Sequence, residues 1–274
     1  MRTRRLALLV IITVLVALAS CAPLRAVVAG TEGLMSKVGP APPERMQHPG
    51  VEGVCTAASI NWIVPVIDGV VLVDAGFDES GEVIRRALRG RRVLAVLITH
   101  AHPDHRAAAH LFHAPVYVGA DDVPLLEGRY RYQSIMADLG LALGVAPVPH
   151  TVIPVSDGDV HVFGGRTFRA IALPGHTPGS TGWLTDGILF GGDAVLSPTG
   201  DGIYPAPDGV TEDMRQAYDS LRKLEHLPIT TLLDAHFGKL ADPKRYLRAA
   251  IARGDDEDTL YDHPSPRPVG CAEP

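Results

Sequence analysis

The sequence predicts an α/β fold in which two packed β-sheets carry helices on their outer faces. Apolar, strand-like runs alternate with amphipathic helical segments, and these elements divide into two β-rich halves. The chain has 274 residues, of which 46% are hydrophobic and 20% are charged. This length and composition suit one large globular domain with an ample core, or two small domains.

The first half opens with a predicted β-hairpin, because Asp68-Gly69 separates two β-rich runs and is a frequent turn pair. A helix follows, with Ile84 and Leu88 on its apolar face and Gly90 at its end. A second helix begins at Pro103, since proline is favoured at the first helical position. The predicted elements are strands over 59–67 and 69–76, a helix over 80–89, a strand over 92–100, a helix over 103–113 and a strand over 114–119.

The second half continues the alternation after a less regular segment, 127–150, which is either a lid over a site or an ordinary packed helix. Its main helix is amphipathic, with Met214, Tyr218 and Leu221 on the inner face. The predicted elements are strands over 160–173, 180–185 and 187–191, a helix over 211–226, a last strand over 229–236 and a last helix over 243–253.

The N-terminus has the pattern of a signal peptide. Three arginines without an acid precede an apolar run of 14 residues, 6–19, which is shorter than the roughly 20 residues needed to span a bilayer. Leu18-Ala19-Ser20-Cys21 resembles a bacterial lipoprotein box, in which cleavage leaves a lipid-bearing cysteine; an uncleaved anchor and ordinary secretion are the alternatives. We therefore predict a signal peptide over 1–20, a lipid-anchored tether over 21–50 and a catalytic domain over 51–274, held on a membrane of the cell envelope outside the cytoplasm.

Charge and cysteine content limit the partners of this domain. Loss of residues 1–20 removes three arginines and no acid, so the net charge falls from −6 to −9. Such a charge argues against nucleic acid as a partner and leaves a small-molecule substrate as the expected one. An oxidising envelope would permit a disulfide between Cys55 and Cys271, with two unpaired thiols as the equal alternative.

The string THAHPDH, residues 99–105, concentrates three histidines and an aspartate at the end of an apolar strand. Such side chains are costly to bury unless they are paired or bind a metal. In an extended segment His100, His102 and Asp104 point the same way, and His105 follows directly. The spacing therefore indicates a metal site.

Three later strings place further ligand types after predicted strands. His176 lies in LPGHTPGS, Asp193 in FGGDAV and His236 in LLDAH. Each is on a loop beyond an apolar strand, where active sites on a rigid scaffold commonly lie. Together with 99–105 they supply five histidines and two aspartates, enough for two metal centres with one bridging carboxylate. The other seven histidines lack such a motif, and we interpret them as surface or capping residues.

In this order HxHxDH, GHTPGS, GGDA and a late histidine resemble the metallo-β-lactamase-fold hydrolases, and GHTPGS is most similar to glyoxalase-II-like and lactonase-like members. The resemblance runs from near Val54 to past His236 and implies an αββα sandwich with two divalent metal ions at the sheet edge. Zinc is expected first, with iron or manganese as alternatives. Carried over, His100, His102 and His176 bind the first metal, Asp104, His105 and His236 bind the second, Asp193 bridges them, and Asp74 supports the metal loop from behind.

The resemblance implies a metal-dependent hydrolase in which a hydroxide shared by two metals cleaves an ester, a lactone or a thioester, with Asp104 also handling a proton. An iron-dependent persulfide dioxygenase, a β-lactamase and a non-catalytic metal-binding envelope protein are the alternatives. Asp193 disfavours the β-lactamase, because many of those enzymes carry cysteine or serine there. Glyoxalase II members have a C-terminal helical domain that holds glutathione, and the 38 residues after His236 are too few for it.

Overall fold

The first sheet is built around the predicted hairpin. The computed structural model describes residues 47–56, 59–78, 80–129, 147–256 and 259. Within it β3 (Ile60–Val66) and β4 (Gly69–Val73) pair antiparallel around a turn at Asp68, whose φ of 65° suits a tight hairpin. The sheet has the order β1 (Gln47–His48), β2 (Val51–Cys55), β3, β4, β5 (Val93–Leu97), β6 (Val116–Gly119) and β7 (Val152–Val155), and its pairs are parallel from β4–β5 onward.

The second sheet corrects two strand predictions. The stretch 160–173 is two strands, because the adjacent Gly164 and Gly165 both adopt positive φ and turn the chain back on itself. The strand predicted as the last is followed by one more. In spatial order the sheet contains β13 (Lys239–Ala241), β12 (Thr231–Asp234), β11 (Ile188–Gly192), β10 (Thr181–Thr185), β9 (Arg166–Ala172) and β8 (Val160–Phe163).

The predicted helices are present, but two are shorter than expected. The prediction over 103–113 yields one α-helical turn and then a 3-10 turn, Ala109–Phe112. The helix predicted over 211–226 begins only after Asp213, whose carboxylate accepts a hydrogen bond from Gln216 N. Its last residues form a 3-10 turn. The α-helices are α1 (Glu82–Leu88), α2 (Pro103–Arg106), α3 (Val123–Leu126), α4 (Met214–Leu221) and α5 (Lys244–Asp255).

The two sheets pack face to face, and tryptophans hydrogen-bond from each sheet towards the other. Trp62 Nε1 of β3 donates to Asp234 O at 3.2 Å, and Trp183 Nε1 of β10 donates to Ile98 O at 3.1 Å. Both side chains are buried in the cluster between the sheets. Helix α1 covers an apolar cluster on the outside of the first sheet, and α4 and α5 cover one outside the second. The predicted αββα sandwich is confirmed.

The described part of the chain begins earlier than the predicted catalytic domain. Strand β1 places Gln47–His48 in the first sheet, although these residues fall within the predicted tether. The predicted signal peptide and Cys21 lie outside the described residues, as does most of the candidate lid, 130–146. Within the described ranges, no helix combines the length and the apolar character that crossing a bilayer requires.

Candidate metal centre

Three histidine nitrogens converge at one edge of the sandwich. His176 Nε2 lies 3.1 Å from His100 Nε2 and 2.9 Å from His102 Nδ1. All three side chains are buried. Two nitrogens on one tetrahedral zinc ion, each about 2.0–2.1 Å from the metal, stand roughly 3.3 Å apart. The three nitrogens are therefore spaced as ligands of a single ion.

A second group lies beside the first and opens to solvent. His105 Nε2 is 3.3 Å from Asp104 Oδ2, and His236 Nε2 is 3.8 Å from the same oxygen. His105 is fully buried, whereas the side chains of Asp104 and His236 are each 23% exposed. A small molecule can therefore approach the centre from the side of Asp104 and His236.

Asp193 stands between these two groups. Its Oδ1 lies 2.9 Å from His236 Nε2 and 3.4 Å from His105 Nε2, while its Oδ2 lies 3.6 Å from His176 Nε2. Each carboxylate oxygen thus faces a different set of imidazoles. All seven side chains proposed as ligands from the sequence come together here, and among them the groups able to share one ion are His100, His102 and His176; His100, His105 and Asp193; and Asp104, His105 and His236.

Asp74 shapes the loop that carries the first ligands. It directly follows β4, and its carboxylate accepts hydrogen bonds from Thr99 N at 2.8 Å, Thr99 Oγ1 at 2.9 Å and His105 Nδ1 at 2.9 Å. The ligand loop also lies against Gly76, where a Cβ would come within 1.7 Å of Asp104 O, so this position requires glycine. The supporting role expected for Asp74 agrees with these contacts, which leave His105 Nε2 directed towards the carboxylates.

Two hydroxyl groups fix the protonation of two ligand rings. Thr211 Oγ1 donates its one proton to Ala206 O at 2.7 Å, so it must accept from His176 Nδ1 at 3.2 Å. Thr99 Oγ1 likewise donates to Asp74, and His100 Nδ1 lies 3.2 Å from it. In both histidines Nδ1 therefore carries the proton, and Nε2 presents its lone pair to the shared point.

Two buried aspartates that sequence reasoning missed connect the ligand loops. Asp122, in the 3-10 turn that follows β6, accepts from Ala101 N at 2.8 Å, Thr177 Oγ1 at 2.8 Å and Gly179 N at 2.7 Å, so it joins the loops of His102 and His176. A signal for it existed, since β6 runs parallel to β5 and the carboxyl ends of both strands meet at one edge.

Asp234, at the end of β12, connects the other two ligand loops, those of Asp193 and His236. Its Oδ1 accepts from His236 N at 3.0 Å and from Gly238 N at 3.0 Å, and its Oδ2 accepts from Ser197 N at 2.9 Å. One carboxylate thereby fixes the loop of His236 to the loop that follows Asp193. Nothing in the spacing of the chain predicts that Ser197 would reach Asp234.

Burial keeps the first three histidines neutral. Desolvation lowers the pKa of His100 well below its ordinary value, and neighbouring imidazoles lower it further. The same cause lowers the pKa of His102 to about 3 and that of His176 to about 4. A neutral imidazole has a lone pair available for a metal, so these rings are ready ligands at neutral pH.

The remaining groups form a charged cluster. Burial opposes a charge on His236, but Asp193 and Asp104 outweigh it and raise its pKa to about 9. His105 follows the same pattern, and the carboxylates around it raise its pKa. Burial alone would raise the pKa of Asp193, yet His236 and His105 lower it well below 3.8. The carboxylates here thus stabilise positive charge on the neighbouring imidazoles, as they would stabilise a bound cation, which fits a divalent-metal site.

Comparison with known proteins gives one family match and several relatives. A family model described as Metallo-beta-lactamase superfamily matches residues 58–236. Hydroxyacylglutathione hydrolase of Stenotrophomonas maltophilia (strain R551-3) is 28% identical over 223 residues, which are 75% of this chain and 77% of the relative. The protein of that name from Yersinia pestis (strain Pestoides F) is 33% identical over 193 residues, which are 70% of this chain and 65% of the relative.

Solved structures share the architecture. Metallo-beta-lactamase family protein TTHA1429 from Thermus thermophilus superposes with a TM-score of 0.58 at 21% identity, covering 76% of this chain and 80% of that one. TTHA1623 in a di-iron-bound form has a TM-score of 0.54 at 29% identity, covering 68% of this chain and 91% of that one.

Proposed function

Because the chain belongs to the metallo-beta-lactamase superfamily, we propose that it is a metal-dependent hydrolase that cleaves an ester, a lactone or a thioester. The observation that carries the proposal is Asp193, whose two carboxylate oxygens face different sets of histidines. When bound, two divalent ions would supply an acidified water and a Lewis acid for the carbonyl oxygen of the substrate. Relatives named hydroxyacylglutathione hydrolase support acyl transfer to water as the reaction class.

The seven side chains divide between two ions in this proposal. Imidazole and carboxylate suit zinc, iron and manganese, and zinc is our first expectation. Similarity to a di-iron-bound protein supports iron as the alternative. The proposed ligands of the first ion are His100, His102 and His176, those of the second are Asp104, His105 and His236, and Asp193 would hold both through its two oxygens.

Asp104 has a second role in this proposal. It is one of the two ligands with a solvent-exposed edge, so it stands where substrate would enter. A carboxylate in that place can accept a proton from water or pass one to a leaving group. The buried imidazoles behind it exclude bulk water from the rest of the centre.

The test is turnover without oxygen. Full-length protein loaded with zinc, and separately with iron, is assayed anaerobically on a panel of esters, lactones and thioesters. We expect hydrolysis that is lost on chelation and recovers when metal is returned. Activity that strictly requires O₂ would indicate the dioxygenase, and two bound metals without turnover on any substrate would indicate a binding protein.

We further propose that the protein is exported and anchored by lipid at Cys21. The basic, apolar and small-residue pattern of residues 1–21 supports export. Cys55 is disulfide-bonded, which agrees with an oxidising compartment. The other two cysteines lie outside the described residues, and a bond to Cys271 would leave Cys21 available for lipid.

A further inference from the structure

Five arginines lie within eight residues at the end of α1 and in the turn after it. They are Arg85, Arg86, Arg89, Arg91 and Arg92, which we call the arginine surface. All but Arg91 are exposed. The chain as a whole carries −6, so the residues outside the arginine surface carry −11. A concentrated basic surface thus stands on a strongly acidic protein.

Local contacts account for only part of this surface. Arg91 forms two hydrogen bonds to Glu52, at 3.0 and 3.2 Å, and Arg86 pairs with Glu82 at 2.8 Å. Arg85 and Arg86 also lie in the last helical turn, where basic residues interact favourably with the helix dipole. Arg89 and Arg92 differ, because their side chains have no hydrogen-bond or ion-pair partner among the described residues.

The arginine surface lies away from the metal centre. Val70 N, near the start of β4, donates to Arg92 O at 2.8 Å, whereas Asp74 follows the end of β4 and supports the ligand loop. Four residues of strand separate these points, which corresponds to roughly 13 Å along the sheet. A large partner on the arginine surface would therefore leave the metal edge open.

The chain enters the folded domain next to this surface. Gln47 is the first described residue, and it pairs with Glu52 across β1 and β2. Glu52 is in turn the carboxylate that Arg91 binds. The segment that precedes Gln47, with the proposed lipid site at Cys21, thus reaches the domain within one strand pair of the arginines.

We propose that the arginine surface binds the phosphate groups of an anionic phospholipid bilayer and holds the anchored domain with its metal edge facing away from the membrane. Guanidinium groups suit phosphate, because they offer several donors in a fixed plane and are weakly hydrated. Basic clusters beside a membrane anchor bind anionic lipid surfaces for this reason. After removal of residues 1–20 the chain carries −9, so its residues outside the arginine surface carry −14 and would repel the same bilayer from other orientations. This inference rests on the proposed anchorage and is independent of the hydrolysis.

Arginine-selective footprinting tests it directly. Mature, lipid-bearing protein purified from the cell envelope is reconstituted into vesicles of phosphatidylcholine alone or of phosphatidylcholine with phosphatidylglycerol, labelled with phenylglyoxal and digested for mass spectrometry. We expect labelling of Arg89 and Arg92 to slow by at least about threefold on the anionic vesicles and to recover at high salt. Arg245 and Arg248, exposed on α5, are the internal controls and should label equally on both.

A double variant checks the cause. Arg89→Gln with Arg92→Gln should restore labelling of Arg85 on anionic vesicles, whereas Arg245→Gln with Arg248→Gln should leave Arg85 shielded.

Equal labelling on both vesicle types, or equal shielding of the α5 arginines, would overturn the proposal. Shielding by soluble polyuridylate but not by vesicles would assign the surface to nucleic acid instead. Release of the chain from both vesicle types would contradict the anchorage as well, while retention without shielding would contradict this inference alone.

Discussion

His105 Nδ1 lies 2.9 Å from Asp74 Oδ2, so a residue that directly follows β4 sets which nitrogen of a candidate ligand is available. The same carboxylate accepts from both the amide and the hydroxyl of Thr99, one residue before His100. Ligand loop and ligand ring are therefore fixed by a single buried charge. Partners of this kind commonly tune metal affinity as strongly as some ligands do.

Asp74→Asn should lower metal affinity by about 10- to 100-fold with little change in fold. Asp74 adopts φ 61°, a left-handed conformation that asparagine tolerates, so the change removes charge without backbone strain. Competition with a chromophoric chelator measures the affinity. Asp68→Asn is the matched control, since Asp68 has φ 65° on the exposed turn of the same sheet. An equal loss in both variants would contradict the role of Asp74.

His100→Ala should abolish binding of at least one metal and reduce turnover with it. His100 belongs to two of the three candidate ligand groups, so its loss affects both. Elemental analysis of purified protein, with about two metals per chain expected for the wild type, measures the effect. His226→Ala is the control, because His226 is exposed at the end of a 3-10 turn. Similar metal loss in both variants would show that the division of the histidines into metal ligands and surface residues is wrong.

Asp193→Asn should reduce hydrolysis by at least about 10²-fold and shift the pH optimum upward. The change keeps the volume of the side chain but removes the charge that offsets two cations. One of the two metals should then bind weakly. Water bound to a single ion has a higher pKa than water shared by two ions, so the reaction should need a higher pH. Steady-state kinetics over pH, with metal content measured in parallel, test this. Asp208→Asn, exposed on the loop after Asp193, should behave as wild type, and unchanged kinetics in Asp193→Asn would exclude a bridging role.

Asp122 should make folding stability fall as pH rises from about 4 to 6. Burial raises the pKa of this carboxyl from 3.8 to about 6, although hydrogen bonds from Ala101 N and Thr177 Oγ1 oppose the shift. The unfolded chain therefore releases the proton first, and the native state loses relative stability until the pH passes about 6. The free energy of unfolding, measured with denaturant across this pH range, should decline less in Asp122→Asn than in the wild type. The neighbouring Asp121→Asn, an exposed change, should keep the wild-type slope.

Mature protein from the cell envelope should begin with an acylated Cys21. Mass spectrometry of the N-terminal peptide measures this, and Cys21→Ser should block processing. Cys271→Ser is the informative control, because it should expose the Cys55 thiol to alkylation while leaving lipidation intact. An intact Met1 on the envelope-bound protein would support the uncleaved anchor.

The convergence of the seven candidate ligands could be predicted because their chemistry is local. Four of the seven side chains fall within 100–105, and each of the others directly follows a strand or lies in a short turn after one. The partners of these ligands could not be predicted in the same way. Thr211 reaches His176 across 35 positions and Asp122 reaches Thr177 across 55, so only the packed sandwich brings them together.

The helix predicted over 103–113 is shorter than expected for a reason that no periodicity reveals. Ala108 N donates to Ala75 O at 2.8 Å instead of continuing the helical ladder, and Ser59 Oγ donates to Asp104 O. Backbone groups that a helix would use internally are thus committed to neighbouring loops. The strand predicted over 160–173 was divided by Gly164 and Gly165, where a hairpin signal was present in the sequence.

Each of the three groups that could hold an ion takes two residues from the first half of the chain and one from the second. Bound metal would therefore link the two halves of the chain, in addition to the hydrogen bonds of the buried tryptophans. Because a metal that binds only the folded state stabilises it by mass action, the metal-free protein should open along this seam and be cut there by proteases sooner. If the chain crosses a membrane unfolded, its folded state would reach full stability only after export, when it binds metal available outside the cytoplasm.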